Sequence, residues 1–207
     1  MATWRLKLQE PVPAELEKFA SGLDELEQKM NEAVNESHRG RRKDEATWPV
    51  HYHYWRRNRW IYEKHYVLKE MSASLYKYLV RCKVADGPLI SKWRKPGYER
   101  LCSLSAVNRK TNFGTVSHCR VPLRQRAKGN WVPSRKTGCI SCASGDGGPI
   151  WWFSKGWREQ FEGSDSDSDN SSDSDDPEVS ARIEQLKRIR QQKEEQDERD
   201  AREPDQD

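Results

Sequence analysis

The sequence predicts an α-rich α+β fold: a small domain with a helical N-terminal part, an irregular C-terminal lobe that zinc could staple, and a disordered acidic tail. Three observations support this prediction. Residues 21–96 carry apolar side chains at helical spacing, and all nine tryptophans and seven tyrosines precede residue 160. Only 34% of the residues are hydrophobic and 34% are charged, so part of the chain cannot fold. The folded part is therefore small and rich in aromatic side chains.

Charge divides the chain into a basic body and an acidic tail. The formal net charge is +4, yet residues 164–207 hold sixteen acidic and seven basic residues, a net charge of −9 that leaves +13 on residues 1–163. This layout is typical of proteins that associate with nucleic acid, because phosphate neutralisation supplies much of their affinity. The five cysteines, an odd number, argue against a disulfide framework, and no signal peptide or apolar span is found. We therefore expect a soluble intracellular protein.

Composition divides the chain into four regions. Residues 1–20 are predicted to form an irregular arm, and residues 21–96 the helical part. Gly, Pro, Asn, Ser and Thr dominate residues 97–150, which have too few apolar side chains to pack a core of their own. A bound metal ion is the natural candidate to stabilise this region. Residues 151–207 comprise an aromatic patch, an acidic low-complexity linker and a terminal helix.

Capping residues set the predicted starts of the helices. Ser21 stands three residues before Asp24 and resembles the start of a capping box, followed by an apolar stripe. Asn58 and Ser72 are predicted to cap the next two helices, and Pro88 to open a short piece after them. We therefore expect a small helical unit between the arm and the lobe.

The cysteines of the lobe are the candidate metal ligands. They are Cys102, Cys119, Cys139 and Cys142, with His118 as an alternative ligand. Cys139 and Cys142 have the C-x-x-C spacing of half a zinc site, but the chain has no second such pair. The four cysteines would suffice for one closed site; alternatively, only the C-x-x-C pair is close together and the others are buried thiols. A Cys–His nucleophile is disfavoured because no third group orients the pair, and we assign no catalytic residue and expect no enzyme.

Basic residues interleaved with aromatic ones are the candidate nucleic-acid contacts. Four such runs, "RGRRK", "WRRNRW", "KWRKPGY" and "RVPLRQRAKGNWVPSRK", favour RNA or a ribonucleoprotein partner over a merely solvated face. The residues predicted to contact phosphate or an acidic partner are Arg56, Arg57, Arg59, Lys92, Arg94, Lys95, Arg120 and Arg124.

The segment after the lobe carries a second kind of candidate surface. Its aromatic residues, predicted to dock a partner, are Trp151, Trp152, Phe153 and Trp157. The run "SDSDSDNSSDSDD" that follows would accept phosphate from an acid-directed kinase, or it is a solubilising spacer.

Seven segments carry a resemblance to a known family. They are "LDELEQKM" (23–30), "WPV" (48–50), "RWIYEKHY" (59–66), "LYKYLV" (75–80), "ADGPLISKWRKPGYERLC" (85–102), "TNFGT" (111–115) and "CRVP" (119–122). In their order and spacing they resemble the bud-site-selection (G-ten) family of spliceosomal proteins, from about residue 21 to residue 145. The resemblance implies a non-enzymatic splicing factor of the nucleus, placed among scaffold proteins of the spliceosome and close to small nuclear RNA.

The resemblance also implies a cluster of nine cysteines that binds several zinc ions, of which this chain retains four. The residues at the other five positions are Ser103, Ala106, Ser117, Ser134 and Thr137. Hydroxyl and methyl groups cannot replace thiolates on zinc, so we expect at most one zinc ion. Because the basic helical part is retained, we expect the splicing role to be retained as well; the alternative is a protein-interaction adaptor of another ribonucleoprotein or nuclear complex.

Overall fold

The computed structural model describes residues 3–110, 114–127 and 131–162, within one compact unit that spans Met1–Gly163. The helices are α1 (Glu17–Asn35), α2 (Trp48–Tyr62), α3 (Ala73–Arg81), α4 (Gly87–Trp93) and α5 (Trp157–Glu162). Two short strands, β1 (Cys139–Ser141) and β2 (Ile150–Trp151), form an antiparallel sheet that pairs Cys139 with Trp151 and Ser141 with Ile150. The α-rich fold with a small sheet confirms the predicted fold class. Within the described ranges, no helix has the length and apolar character needed to cross a membrane.

Short turns connect these elements. A π-helical turn at Glu63–Val67 continues α2. The 3-10 turns are Arg5–Lys7, Ala14–Leu16, Glu45–Thr47, Leu104–Val107, His118–Arg120, Leu123–Gln125 and Ser144–Asp146. The boundaries that composition places at residues 96 and 150 stay predictions.

The first helix begins at Glu17, one turn before the predicted start at Ser21. Leu16, Phe19 and Leu23 are all buried, so the apolar stripe extends backwards at helical spacing beyond the capping signal. Ser21 is exposed in the interior of α1 and caps nothing. In the apolar stripe predicted after Ser21, Leu23, Leu26 and Ala33 are buried.

The N-terminal arm, predicted to be irregular, contributes to the core. Trp4 is only 1% exposed, and its indole nitrogen donates to Asp24 at 2.8 Å. The hydroxyl of Tyr78 donates to the Gln9 carbonyl at 2.6 Å and accepts from the Gln9 amide at 3.1 Å. Because Trp and Tyr combine a large apolar body with one polar group, these two contacts fasten the arm to α1 and α3.

The second helix begins at Trp48, ten residues before the predicted cap Asn58. Asn58 is fully buried inside α2, where its side chain donates to the Tyr54 carbonyl at 2.9 Å and accepts from the Asp86 amide at 2.6 Å. Asp86 is the N-cap of α4, so Asn58 fastens one helix to the start of another. The starts predicted at Ser72 and Pro88 are confirmed, since Ser72 caps α3 and Pro88 lies in the first turn of α4.

A buried ion pair joins α1 to α2. Glu27 is 2% exposed and Arg57 is 4% exposed, and Nη1 of the arginine lies 2.9 Å from Oε2 of the glutamate. Burial and pairing remove Arg57 from the candidate phosphate contacts and make it part of the scaffold. Removing two charges from water costs free energy, which their attraction offsets only while both are present.

Removal of one member of this pair should therefore destabilise the protein more than removal of both. We expect Arg57→Met to lower the free energy of unfolding by about 3–5 kcal/mol, because Glu27 stays buried without a partner. The double variant with Glu27→Leu should recover much of that loss. Urea denaturation of both variants measures the difference, with Arg56→Met, at an exposed position of the same helix, as the control. Equal losses in the single and double variants would contradict the prediction.

Candidate metal centre

Four buried cysteines from three segments of the chain converge on one point. Their sulfur atoms all lie within 4.8 Å of one another, and the four residues are Cys102, Cys119, Cys139 and Cys142. The sulfur of Cys119 lies 3.9 Å from that of Cys102 and 3.8 Å from that of Cys142. A tetrahedral ion with metal–sulfur bonds of about 2.3 Å holds its sulfur ligands about 3.8 Å apart. The donor set and its spacing therefore fit one metal ion.

Two tryptophans position the loop that carries Cys102. Trp55 of α2 and Trp93 of α4 both donate their indole N–H to the carbonyl oxygen of Leu101, at 3.2 Å and 2.8 Å. One carbonyl oxygen can accept both bonds because it has two lone pairs. Cys102 is the next residue, so its position is fixed relative to both helices.

A third tryptophan positions the turn before Cys139. The indole nitrogen of Trp48 donates to the Arg135 carbonyl at 2.8 Å. Gly138 follows with a φ of +70°, and a Cβ there would come within 2.7 Å of the Trp48 ring and 2.6 Å of the Trp152 ring. Only glycine fits such a backbone conformation in so little space. The turn thus leads β1, and Cys139 with it, into the cluster.

Arg120 ties the segment of Cys119 to that of Cys142. Its Nη1 donates to the Cys142 carbonyl and lies 3.5 Å from the Cys142 sulfur, while Nη2 donates to the Gly97 carbonyl at 2.5 Å. The guanidinium also lies 5.2 Å from the centre of the Tyr98 ring. The amide of Cys142 in turn donates to the Cys119 carbonyl at 2.9 Å. Arg120, predicted to contact phosphate, is instead engaged in holding the cluster.

Three of the four thiols have a pKa shifted by their surroundings. Hydrogen bonding with the other three thiols, first that of Cys102, holds the pKa of Cys142 well below its usual range. Hydrogen bonding with Cys119 raises the pKa of Cys102, and burial raises the pKa of Cys139. Burial acts to lower the pKa of Arg120, but its hydrogen bond to Cys142 and the nearby thiols raise it overall. The site therefore favours the thiolate form of Cys142 beside the charged guanidinium of Arg120. A bound cation would favour the thiolate form of its other cysteine ligands as well, because the thiolate is the form that binds metal.

His118, the alternative ligand, lies outside the group of four. Its Nε2 is 2.9 Å from the Val132 carbonyl oxygen, and its side chain is exposed. Arg59, a predicted phosphate contact, lies 4.7 Å from the Tyr62 ring centre and 5.5 Å from that of Trp93, and burial lowers its pKa. Among the remaining predicted contacts Lys92 is half-buried, and the exposed residues are Arg56, Arg94, Lys95 and Arg124.

Two of the four aromatic residues predicted to dock a partner are buried in the fold. Trp151 is 4% exposed, with its ring 5.9 Å from that of Trp55, and Trp157 is 6% exposed, with its ring 5.8 Å from that of Trp131. Both are packing residues and are removed from the docking candidates. Trp152 is half-buried and Phe153 is 47% exposed, so the accessible patch is reduced to these two side chains. The acidic run and the predicted terminal helix lie outside the described residues.

The indole donors were missed by the sequence analysis. Trp55 and Trp93 lie in basic runs that were assigned to nucleic-acid contact, and Trp48 opens an aromatic-rich stretch. A usable signal was present, because a tryptophan that packs into a core must still find an acceptor for its N–H.

Comparison with known proteins identifies relatives over the same part of the chain. The family described as Pre-mRNA-splicing factor BUD31 matches residues 1–144. Protein BUD31 homolog of Danio rerio is 43% identical over 134 residues, which cover 64% of this chain and 93% of that protein. Pre-mRNA-splicing factor BUD31 of Saccharomyces cerevisiae is 36% identical over 147 residues, covering 66% and 94%. Pre-mRNA-splicing factor cwf14 of Schizosaccharomyces pombe is 35% identical over 135 residues, covering 65% and 92%. The matches confirm the resemblance, and the matched range includes all four clustered cysteines.

Arg120 should stabilise the fold through its bonds to two loops. We expect Arg120→Met to lower the free energy of unfolding by about 1–3 kcal/mol, because the carbonyl of the buried Cys142 loses its charged donor and the exposed Gly97 carbonyl loses its tie to the same side chain. The exposed Arg124→Met is the charge-matched control and should leave the free energy of unfolding nearly unchanged. Chemical denaturation of the two variants checks this, and equal stability of both would show that the loops do not depend on Arg120.

Proposed function

The chain belongs to the BUD31 family, and we propose that it acts as a non-enzymatic, structural component in pre-mRNA splicing. The observation that carries the proposal is the family match over residues 1–144, which includes the helical part and the clustered cysteines. Two of its relatives are named pre-mRNA-splicing factors. The nucleus is the proposed location, because pre-mRNA splicing takes place there.

One zinc ion is the proposed cofactor of the cysteine cluster. Four thiolates close the tetrahedral shell and leave no position for water or substrate, so zinc here would be structural. Bound zinc would supply coordination bonds between segments that have little regular structure of their own. Arg120 would contribute by placing a positive charge beside the Cys142 sulfur.

The proposed RNA contacts are basic residues beside aromatic rings, of which Arg94 is exposed and Lys92 is half-buried. The guanidinium of Arg94 lies 4.9 Å from the centre of the Tyr66 ring, and the ammonium of Lys92 lies 5.4 Å from that of Tyr98. Lys95 is exposed next to them in the chain. Binding of single-stranded RNA combines cations, which contact the phosphates, with aromatic rings, on which the bases stack. Small nuclear RNA and scaffold proteins of the spliceosome are the proposed partners.

A second candidate function is a protein-interaction adaptor in another ribonucleoprotein or nuclear complex. One observation favours it: Phe153 is 47% exposed, although its ring lies only 4.8 Å from that of Tyr52 and 4.7 Å from that of Trp152. An exposed aromatic cluster of this kind can dock an apolar partner. Salt separates the two functions, because phosphate contacts weaken steeply as salt rises and apolar docking does not.

The purified full chain should bind one zinc ion. Native mass spectrometry should show one zinc ion per chain, and a chelator should lower the melting temperature. Cys139→Ser should lose the ion, whereas Cys82→Ala, at the buried cysteine outside the cluster, should keep it. Zinc affinity should fall as the pH is lowered, because protons compete for the thiolates. The proposal would be contradicted if the wild-type chain carried no zinc and a chelator left its melting temperature unchanged.

The tagged protein should recover spliceosomal small nuclear RNAs and splicing proteins from nuclear extract at moderate salt. The double variant Arg94→Met/Lys95→Met should recover less RNA, and its slope of log affinity against log salt should fall by about two, one for each lost phosphate contact. The double variant Lys18→Met/Lys77→Met, at two exposed lysines outside the four basic runs, is the charge-matched control. Recovery of another assembly without these RNAs would overturn the splicing role and favour the adaptor.

A further inference from the structure

A cavity of about 400 Å³ lies beside the cysteine cluster, and the functions proposed above do not use it. Its volume falls within the range of small-molecule sites. Half of the ten lining residues carry hydroxyl groups, namely Ser105, Thr115, Ser117, Ser134 and Thr137. The hydroxyl-lined cavity is therefore large enough, and polar enough, to hold a neutral hydrogen-bonding ligand.

The inner wall of the cavity is fixed by its own bonds. The hydroxyl oxygens of Ser117 and Ser134 lie 3.3 Å apart, and the Ser117 amide donates to the Ala106 carbonyl at 2.8 Å. Ser134 is 6% exposed and Thr137 is 2% exposed. A hydroxyl has one donor and two acceptor positions, so each can keep an internal bond and still bond a ligand. The wall thus presents adaptable donors and acceptors in a fixed frame.

The charges around the cavity are unequal between its inner end and its rim. Lys136 lines the cavity and is exposed, and no carboxylate is present among the lining residues that the structure describes. At the inner end, the Cys119 sulfur lies 3.3 Å from the Ser117 hydroxyl and the Cys102 sulfur 4.0 Å from the Thr137 hydroxyl. With zinc bound, four thiolates would carry two more negative charges than the ion neutralises, and Arg120 offsets only one of them, so the inner end would disfavour anions. A ligand that suits both ends is neutral inside and anionic at the rim.

We propose that the hydroxyl-lined cavity takes one unpaired nucleotide of an RNA strand. The base or ribose lies among the hydroxyl groups, Ala106 supplies an apolar surface, and the phosphate lies at the rim near Lys136. Unpaired nucleotides are the part of RNA that a pocket can hold, since their base edges and 2′-hydroxyls are free. The inference rests on the proposed RNA contact and adds a site that the exposed basic residues do not provide.

Binding of single nucleotides to the zinc-loaded full chain tests the site directly. Uridine monophosphate and adenosine monophosphate are titrated separately into ¹⁵N-labelled protein, with inorganic phosphate as a third probe. We expect saturable amide shifts at Ser117, Ser134 and Lys136 with a nucleotide, and weaker ones with inorganic phosphate. Lys136→Met should weaken nucleotide binding by about fivefold, the effect of one exposed charge pair. Lys155→Met, at an exposed lysine outside the lining, is the matched control.

A second variant removes the space rather than the charge. Ala106 is 3% exposed and lines the cavity, so Ala106→Leu should fill it and abolish the nucleotide shifts. The amide spectrum of this variant reports whether it folds, and the exposed Lys136→Met keeps the test decisive if it does not. Equal shifts with inorganic phosphate and nucleotides would overturn the assignment in favour of an anion site.

The two proposals can fail separately. Absence of saturable shifts at the cavity overturns the nucleotide site, whatever RNA the tagged protein recovers from extract. If the shifts are present but the tagged protein recovers no small nuclear RNA, the splicing role fails and the nucleotide site stands.

Discussion

Hydrogen bonds from three indoles fix the loops that carry Cys102 and Cys139, and the arrangement of the lobe depends on them. The described part of the lobe has only short 3-10 turns and a two-stranded sheet, which could not hold four thiols within bonding distance of one ion. Trp55 and Trp93 hold the Leu101 carbonyl, and Trp48 holds the Arg135 carbonyl. Each bond is retained because a buried donor without an acceptor costs about 1–3 kcal/mol. These bonds thereby hold the loops in a fixed position relative to α2 and α4.

The cysteine cluster and the helical core consequently form one packed unit. The four cysteines belong to the same hydrophobic core as Leu23, Leu75 and Trp151. Thiolates are poorly tolerated in such surroundings unless a cation compensates them, and Arg120 supplies one positive charge beside Cys142. A metal ion would supply the rest, so metal binding and packing of the lobe are expected to be coupled. Metal loss would then be felt in the core as well as in the loops.

The sequence predicts those parts of the fold whose causes are local. Ser72 and Pro88 mark helix starts because a cap and a first-turn proline act on neighbouring residues. The prediction from Asn58 was wrong for the opposite reason: an asparagine that would cap a helix at the surface is here buried against Asp86, the N-cap of α4. Arg57 misled in the same way, since its partner lies thirty residues earlier, in α1. Capping rules carry no information about such distant partners.

In the candidate site, too, local sequence patterns do not predict the tertiary contacts. C-x-x-C spacing predicts that Cys139 and Cys142 are close, but their meeting with the other two cysteines is a tertiary property that no spacing encodes. Among basic and aromatic residues, composition cannot separate Arg57 and Trp151, which the fold buries, from Arg94 and Phe153, which it leaves exposed. The exposed residues contribute little to packing, so they can change with the partner while the buried ones keep the scaffold. Stability therefore depends on the buried members of these sequence runs, and recognition is proposed to depend on the exposed ones.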